Sequence, residues 1–255
     1  MKNIYPFTNE NLSSYQNLYN FDNATVLSVL GSGDQYFSSL LYGAKEIELY
    51  DCNFSTWDFF LLKYYGILTL NYEAFYDFFV RKQLDDLNQF YKLLTYLPQD
   101  TAKRLTNLQK KYQKLSHVLY LDMIDDKYHS GRVIPYFDEQ EYYRLQTILR
   151  NEKIPKFYLS HLQSLPYMLE NNCYDIILTS NIFDWLYSEL AENSIEEYKT
   201  LLNKFNYQEI QALYCWSLSE SLQEKFENHN FEIQTVPSIK SLSLSKDSVI
   251  SLRKK

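Results

Sequence analysis

Glycine and cysteine are scarce in this chain, and long apolar runs are missing. Its 255 residues include 5 glycines and 3 cysteines. Cys52, Cys173 and Cys215 are widely spaced and form no C-x-x-C pair, so the sequence predicts no metal site. No uncharged apolar run reaches the roughly 18 residues that a transmembrane helix needs. The first residues also lack the apolar centre of a signal peptide, and we therefore expect a cytoplasmic protein without a transmembrane segment.

A surplus of basic residues is also absent. The 25 Lys and Arg residues face 32 Asp and Glu residues, for a net charge of −7. Nucleic-acid-binding proteins usually display a basic face, so no nucleic-acid partner is expected. Apolar residues make up 45% of the chain, which excludes wholesale disorder. A chain of this length can form one large α/β domain, or a core domain with a subdomain.

Two of the five glycines stand one residue apart, directly after a β-prone apolar run at 25–30. A short helical pattern follows, and a second predicted strand at 46–50 leads to Asp51, twenty residues beyond Gly31. This layout is typical of a nucleoside-binding βαβ unit, in which a glycine-rich turn lets the backbone approach the ligand and an acidic side chain accepts from the ribose hydroxyls. The pattern predicts ligand contacts from Gly31, Ser32, Gly33 and Asp51.

The residues around this turn narrow the choice of ligand. A dinucleotide fold has the pattern G-x-G-x-x-G, and Tyr36 stands where a third glycine is expected, which argues against NAD and FAD. No Gly-Lys-Ser/Thr follows, so a P-loop is excluded. An adenosine-type ligand without a pyrophosphate needs only the turn and the carboxylate, and S-adenosylmethionine meets that description. The alternative is a tight turn followed by an exposed aspartate.

The remaining elements predict a largely parallel sheet of seven strands. Helical patterns alternate with the later strands, and the last two strands are expected to form a hairpin-like pair at the edge. We therefore predict an α/β, Rossmann-like fold of the class I methyltransferase type, with a helix from about 54 that Gly66 ends. Residues 84–150 interrupt the pattern as a helical insertion, predicted to be a lid or acceptor-site wall, or else an extension of the core. The core would then comprise residues 1–83 and 151–255, with later strands at 156–159, 174–180, 211–217, 231–236 and 248–252.

Residues 32–34 (SGD), 51–53 (DCN) and 178–185 (LTSNIFDW) resemble two motifs of the DUF3419 (BtaA-like) family of S-adenosylmethionine-dependent 3-amino-3-carboxypropyltransferases. Ser32-Gly33-Asp34 and Asp51-Cys52-Asn53 are similar to the family's first motif. Far downstream, residues 178–185 (LTSNIFDW) are similar to its Ser-Asn-Ile-Phe-Asp-Trp segment after strand four. The resemblance implies that Asp34 and Asn53 belong to the cofactor site and that the transferred group is aminocarboxypropyl.

Four further side chains are candidates for the site. Asn181 follows a central strand, where it can hold the amino acid end of the ligand or an acceptor. Asp184 is a candidate catalytic base or ammonium partner, or else only a helix N-terminal residue. His161 follows the strand at 156–159 and can contact adenine, although an ordinary loop histidine fits equally. His129, in the insertion, is the candidate acceptor-site base, and Trp185 is expected in the core.

The chemistry of the predicted cofactor leaves the reaction open. Attack on the γ-carbon of the sulfonium transfers an aminocarboxypropyl group and leaves methylthioadenosine, whereas attack on the methyl group leaves S-adenosylhomocysteine. The resemblance favours the first reaction, onto an oxygen or nitrogen of an unidentified small or lipid-like acceptor. The alternatives are a methyltransferase and a non-catalytic module that binds the nucleoside or a partner. The sequence does not indicate the oligomeric state.

Overall fold

The computed structural model describes residues 4–81, 84–118, 133–169, 173–187, 193–216, 218–238 and 246–254. These residues form a seven-stranded sheet of order β3-β2-β1-β4-β5-β7-β6. Strands β1 to β5 are parallel to one another, and β7 runs antiparallel between β5 and β6. The strands are β1 Thr25–Val29, β2 Glu46–Asp51, β3 Phe157–Leu159, β4 Tyr174–Leu178, β5 Tyr207–Cys215, β6 Glu232–Pro237 and β7 Lys246–Arg253.

Helices cover both faces of this sheet, so its central strands are apolar on both sides. The middle residues of β1 and most of β4 are buried, as expected for parallel strands that helices enclose. The helices are α1 Tyr15–Leu18, α2 Asp34–Leu41, α3 Phe54–Thr69, α4 Tyr72–Tyr76, α5 Leu87–Leu94, α6 Gln99–Tyr112, α7 Glu139–Leu149, α8 Ile182–Leu186, α9 Ser194–Leu202 and α10 Glu220–Asn228.

The strand order confirms the predicted fold class. A parallel sheet with one antiparallel strand, β7, next to its last strand is the α/β, Rossmann-like architecture of class I methyltransferases. The predicted edge pair is also present, since β6 and β7 are antiparallel neighbours. Within the described ranges, no helix is both long enough and apolar enough to cross a membrane.

Helix α3 continues past Gly66 to Thr69, so the predicted end at this glycine is wrong. A Cβ atom at position 66 would lie 2.6 Å from Cε2 of Phe79. Glycine is therefore required here because another segment packs against the helix, and the residue does not act as a helix terminator.

The described part of the insertion packs onto α3. Phe90 of α5, Leu105 of α6 and Leu145 of α7 are fully buried in one hydrophobic cluster with β1, α2 and α3. Arg104 of α6 forms a bidentate pair with the buried Asp58 of α3, with two N–O distances of 2.8 Å. In these residues the insertion thus shares a continuous core with the sheet.

Candidate functional site

A cleft of about 620 Å³ opens at the carboxyl ends of β1, β2, β3 and β4. Strand β1 has β2 on one side and β4 on the other, which makes this the switch point of the sheet. Ligands of open α/β sheets bind at this position. The lining comes from five segments of the chain: Tyr5, Thr8 and Asn9; Val29, Gly31, Ser32 and Gln35; Tyr50, Asp51, Cys52, Asn53 and Thr56; Ser160, His161, Leu162 and Gln163; and Ser180, Asn181, Ile182, Trp185 and Leu186.

The two glycines after β1 serve different purposes. Gly31 has a φ of +49°, and a Cβ atom there would meet nothing within 4 Å, so its backbone faces open space in the cleft. Gly33 has a φ of +82°, but a Cβ atom there would lie 2.7 Å from Cδ2 of Phe60. Gly33 does not line the cleft, and its small size is required for packing of α2 against α3. Of the two, Gly31 alone allows a ligand to approach the backbone.

Asp51 closes the turn from the neighbouring strand. Its Oδ2 accepts a hydrogen bond from the Gly31 N–H at 3.2 Å, and its Oδ1 accepts one from the Asn53 N–H at 2.8 Å. Burial raises the pKa of this carboxyl to about 6, although these N–H groups oppose the rise. The carboxylate therefore borders the half-buried Gly31, in the arrangement that the βαβ pattern predicts.

Asn53 also lines the cleft, but its side-chain oxygen caps the start of a helix. Its Oδ1 accepts from the Ser55 N–H at 3.1 Å and caps α3. Such an N-cap fixes the start of the helix and the course of the chain leaving Asp51.

Asp34 does not reach the cleft, contrary to the expectation from the resemblance. Its side chain is fully buried and pairs with Lys63 at 2.8 Å. It also accepts from the Ser32 Oγ at 2.8 Å, the Thr8 N–H at 2.6 Å and the Tyr136 hydroxyl. Because it is fully buried in this network and does not line the cleft, Asp34 joins surrounding segments and is not positioned to contact a ligand there.

The carboxyl end of β4 brings Ser180 and Asn181 into the lining. Ser180 has a φ of +58°, and its N–H donates to Gln211 Oε1 at 3.1 Å. Asp184 is exposed in the first turn of α8 and does not line the cleft, so the structure does not bring this candidate base to the site. Trp185 lines the cleft and is 67% exposed, so the expectation of a core residue is wrong.

The loop after β3 lies beside Asp51. The Ser160 N–H donates to the Asp51 carbonyl at 2.9 Å, and His161 is an exposed residue of the cleft lining. His161 also lies near enough to lower the pKa of Asp51 when it is charged. The other histidine candidate, His129, lies outside the described residues.

Sequence patterns did not predict that the N-terminal segment 4–11, which we call the strap, contributes to the cleft. Its Tyr5, Thr8 and Asn9 line the cleft. Lys63 donates to the Pro6 carbonyl at 2.6 Å, and the Trp216 indole N–H donates to the Asn9 carbonyl at 3.0 Å. The strap has no periodic pattern, and its partners are distant in sequence, so no local signal could have revealed it.

The donors and acceptors of the cleft are compatible with a nucleoside that carries an amino acid. Asp51 provides an acceptor for a diol, and Gly31 leaves space beside it. Gln35 is a buried residue of the lining, and its Oε1 accepts no hydrogen bond from the described residues. Among the described lining residues there is no lysine or arginine, the usual partners of a pyrophosphate.

No protein-family model matches the chain, and no curated protein matches it significantly. Solved structures with a similar arrangement include three methylases. A ribosomal protein L11 methylase from Lactobacillus delbrueckii subsp. bulgaricus is 10% identical, with 96% of this chain and 77% of that chain covered and a TM-score of 0.40. The rRNA methyltransferase aviRa from Streptomyces viridochromogenes is 12% identical (91% and 77% covered, TM-score 0.42), and an rRNA methylase from Streptococcus thermophilus is 7% identical (96% and 92% covered, TM-score 0.37). Because the sequence identities and TM-scores are this low, no property of these proteins is assigned to the chain. The fold assignment rests on the strand order of the chain itself.

Proposed function

We propose that the cleft binds S-adenosylmethionine and that the protein is an S-adenosylmethionine-dependent transferase. The observation that carries this proposal is the juxtaposition of the Asp51 carboxylate with the open backbone of Gly31 at the switch point of the sheet. The ribose hydroxyls donate to Asp51, and adenine lies toward His161. The amino acid end lies toward Gln35 and Asn181.

For the transferred group, we favour 3-amino-3-carboxypropyl over methyl. The support is the resemblance of Asp51-Cys52-Asn53 and of residues 178–185 to the aminocarboxypropyltransferase family. An acceptor lone pair attacks the γ-carbon, the C–S bond breaks, and its electron pair stays on sulfur. Methylthioadenosine leaves as a neutral thioether. Positioning of the nucleophile against one of the three carbons on sulfur decides the outcome.

The charges around the cleft restrict the acceptor. The described lining residues include the carboxylate Asp51 but no lysine or arginine. A polyanion would find no cationic partner among them, and the net charge of −7 would repel it. We therefore infer a small or lipid-like acceptor that is neutral or cationic and that presents an oxygen or nitrogen nucleophile.

The cofactor proposal is tested by isothermal titration calorimetry and thermal shift with S-adenosylmethionine. Wild type should bind, and ligand at 100 times its dissociation constant should stabilise the fold by about 2.7 kcal/mol. Asp51→Ala should lose both signals. Asp184→Ala is the matched control, because it removes an exposed carboxylate outside the cleft and should bind as wild type does. No binding by wild type would refute the proposal.

The product separates the two reactions. With S-adenosylmethionine and a small-molecule cell extract, methylthioadenosine as the product supports aminocarboxypropyl transfer, and S-adenosylhomocysteine supports the alternative, methyl transfer. Binding without turnover in any fraction would favour the third candidate, a non-catalytic binding module.

A further inference from the structure

A second carboxylate lies behind the wall of the cleft. Glu10, in the strap, is 1% exposed, and among the described residues no lysine or arginine pairs with it. Its Oε1 accepts from the Ser180 hydroxyl and from Gln35 Nε2 (3.4 Å), and its Oε2 accepts from the Tyr15 hydroxyl. A buried carboxylate with only neutral donors is costly to maintain, and such groups concentrate at functional sites.

The position of Glu10 connects it to the cleft through one hydroxyl. Ser180 lines the cleft and donates to Glu10, so its Oγ has lone pairs left to accept a hydrogen bond from a bound molecule. Gln35 lines the cleft beside it and donates to the same carboxylate oxygen. Glu10 is thus one hydroxyl away from any acceptor that occupies this end of the cleft.

The backbone at Ser180 is held in an uncommon conformation. A φ of +58° places this non-glycine residue in the left-handed region, which costs free energy. The surrounding structure imposes it, because the Ser180 N–H donates to Gln211 Oε1 at 3.1 Å and its carbonyl accepts from the Tyr214 N–H at 3.0 Å. In this conformation Ser180 donates its hydroxyl to Glu10 and is also part of the cleft lining.

We propose that Ser180 and Glu10 form a proton relay that deprotonates the acceptor during group transfer. The inference rests on the proposed transferase function. The acceptor N–H or O–H proton passes to Ser180 Oγ while the Ser180 proton passes to Glu10. The freed lone pair forms the new bond to carbon, and the C–S bond breaks with its electron pair on sulfur. The carboxylate ends protonated, and solvent must later remove its proton. Ser180 is the catalytic residue and Glu10 acts through it.

The surroundings of Glu10 favour uptake of a proton. Tyr15 and Tyr19, from the N-terminal region, and Tyr214, from β5, are the titratable groups that interact with it, and the tyrosines are neutral near pH 7. Burial raises the pKa of Glu10, and the hydrogen bonds from Ser180, Tyr15, Gln211 and Gln35 only partly counter this. A carboxylate shifted in this direction is a better base near neutral pH than an exposed one.

The test combines three variants with two measurements on the full-length protein. Ser180→Gly removes the hydroxyl and relieves the backbone, so it should fold well. Glu10→Gln removes the base and keeps the shape. Asn23→Gly is the matched control, because Asn23 also has a positive φ (+56°) but lies outside the cleft lining. Calorimetry gives the affinity for S-adenosylmethionine, and its consumption with a small-molecule cell extract gives turnover at saturating cofactor between pH 5 and 8.

We expect Ser180→Gly and Glu10→Gln to bind S-adenosylmethionine within about threefold of wild type and to lose about 100-fold or more in turnover, the scale of general base catalysis. Wild-type turnover should fall with decreasing pH as Glu10 is protonated, and Glu10→Gln should lack this dependence. Asn23→Gly should match wild type in both measurements.

The remaining outcomes are distinguishable. Turnover of Ser180→Gly within threefold of wild type would overturn the relay, as would an unchanged pH profile in Glu10→Gln. Cofactor binding by wild type without consumption in any extract would overturn the relay and the transferase function together but leave the cofactor site. A wild-type protein that does not bind S-adenosylmethionine would overturn the proposed function itself.

Discussion

At the scale of single residues, Asp51 shows how one side chain can order a turn and still line the cleft. It accepts from the backbone N–H groups of Gly31 and Asn53, and it remains in the lining of the cleft. The same burial that orders it raises its pKa to about 6. Its charge is therefore sensitive to pH within the range in which most proteins stay folded.

This predicts a pH dependence of cofactor binding. The ionised carboxylate accepts from the ribose hydroxyls, and this form is lost as pH falls through about 6. At pH 5 about one molecule in ten retains the charge, so affinity for S-adenosylmethionine should be about tenfold lower than at pH 8. Calorimetry across this range measures the effect. In Asp51→Asn the affinity should be low throughout and nearly independent of pH; a wild-type affinity that is constant from pH 5 to 8 would contradict the role of Asp51.

Alanine substitutions at the two glycines of the turn should affect different properties, cofactor affinity at Gly31 and stability at Gly33. In Gly31→Ala the new methyl group meets no protein atom but occupies the cleft, so cofactor affinity should fall at least tenfold with a stability loss of about 1 kcal/mol from the positive φ. Gly33→Ala places a methyl group 2.7 Å from Phe60, so the fold itself should lose more stability, about 1–3 kcal/mol. Urea unfolding and calorimetry separate the two effects. Equal stability losses in both variants would contradict this division.

At the scale of elements, the strap depends on a buried ion pair. Lys63 of α3 pairs with Asp34 of α2 and also donates to the carbonyls of Pro6 and Ser32. Asp34 in turn accepts from the Thr8 N–H. Burial lowers the pKa of Lys63, and Asp34 opposes this effect. The pair therefore joins two helices, the glycine turn and the strap at one point.

Removal of one partner should be costly. Lys63→Met leaves the Asp34 carboxylate buried without a cation, and we expect a loss of about 3–5 kcal/mol in urea unfolding. Hydrogen exchange should accelerate in residues 4–11, since the Pro6 carbonyl loses its donor. Arg81→Met is the control, because its ion pair with Glu73 is exposed and should contribute little. An equal stability of both variants would show that the strap is held by other contacts.

At the scale of the whole molecule, the described insertion residues do not form a separate body. Helices α5, α6 and α7 share a hydrophobic cluster with β1, α2 and α3, and none of the described residues in 84–150 lines the cleft. Folding of this part should therefore be coupled to folding of the sheet, because the same apolar surface is buried by both.

A core substitution in the insertion tests this coupling. Leu105→Ala should cost about 2–5 kcal/mol, since Leu105 is fully buried. Leu87→Ala, at a position 43% exposed, should change stability by less than about 0.5 kcal/mol. Urea unfolding followed by circular dichroism and by tryptophan fluorescence should give coincident transitions in both variants. Separate transitions in Leu105→Ala would show that the insertion unfolds on its own.

Sequence patterns predicted the βαβ unit and the place of Asp51 at the carboxyl end of β2. The spacing of the two glycines after one strand and the aspartate at the end of the next strand are local sequence patterns. Such local patterns are enough to predict a βαβ unit. The alternation of strands and helices likewise predicted the parallel sheet, because each element buries its own periodic face. The predicted helix end at Gly66 was wrong because this glycine makes room for the Phe79 ring and does not end the helix. Sequence patterns do not show such contacts between segments.

Contacts between segments that are distant in sequence select which polar side chains reach the cleft. Asp34 follows the glycine turn directly in the sequence, yet its side chain is buried against Lys63 of α3 and does not line the cleft. Glu10 approaches Ser180 across 170 residues, and hydrogen bonds with α2, α3, β5 and Trp216 hold the strap at the cleft. Local propensity specifies the turn and its carboxylate, whereas burial and charge pairing between distant segments select the partners of that turn.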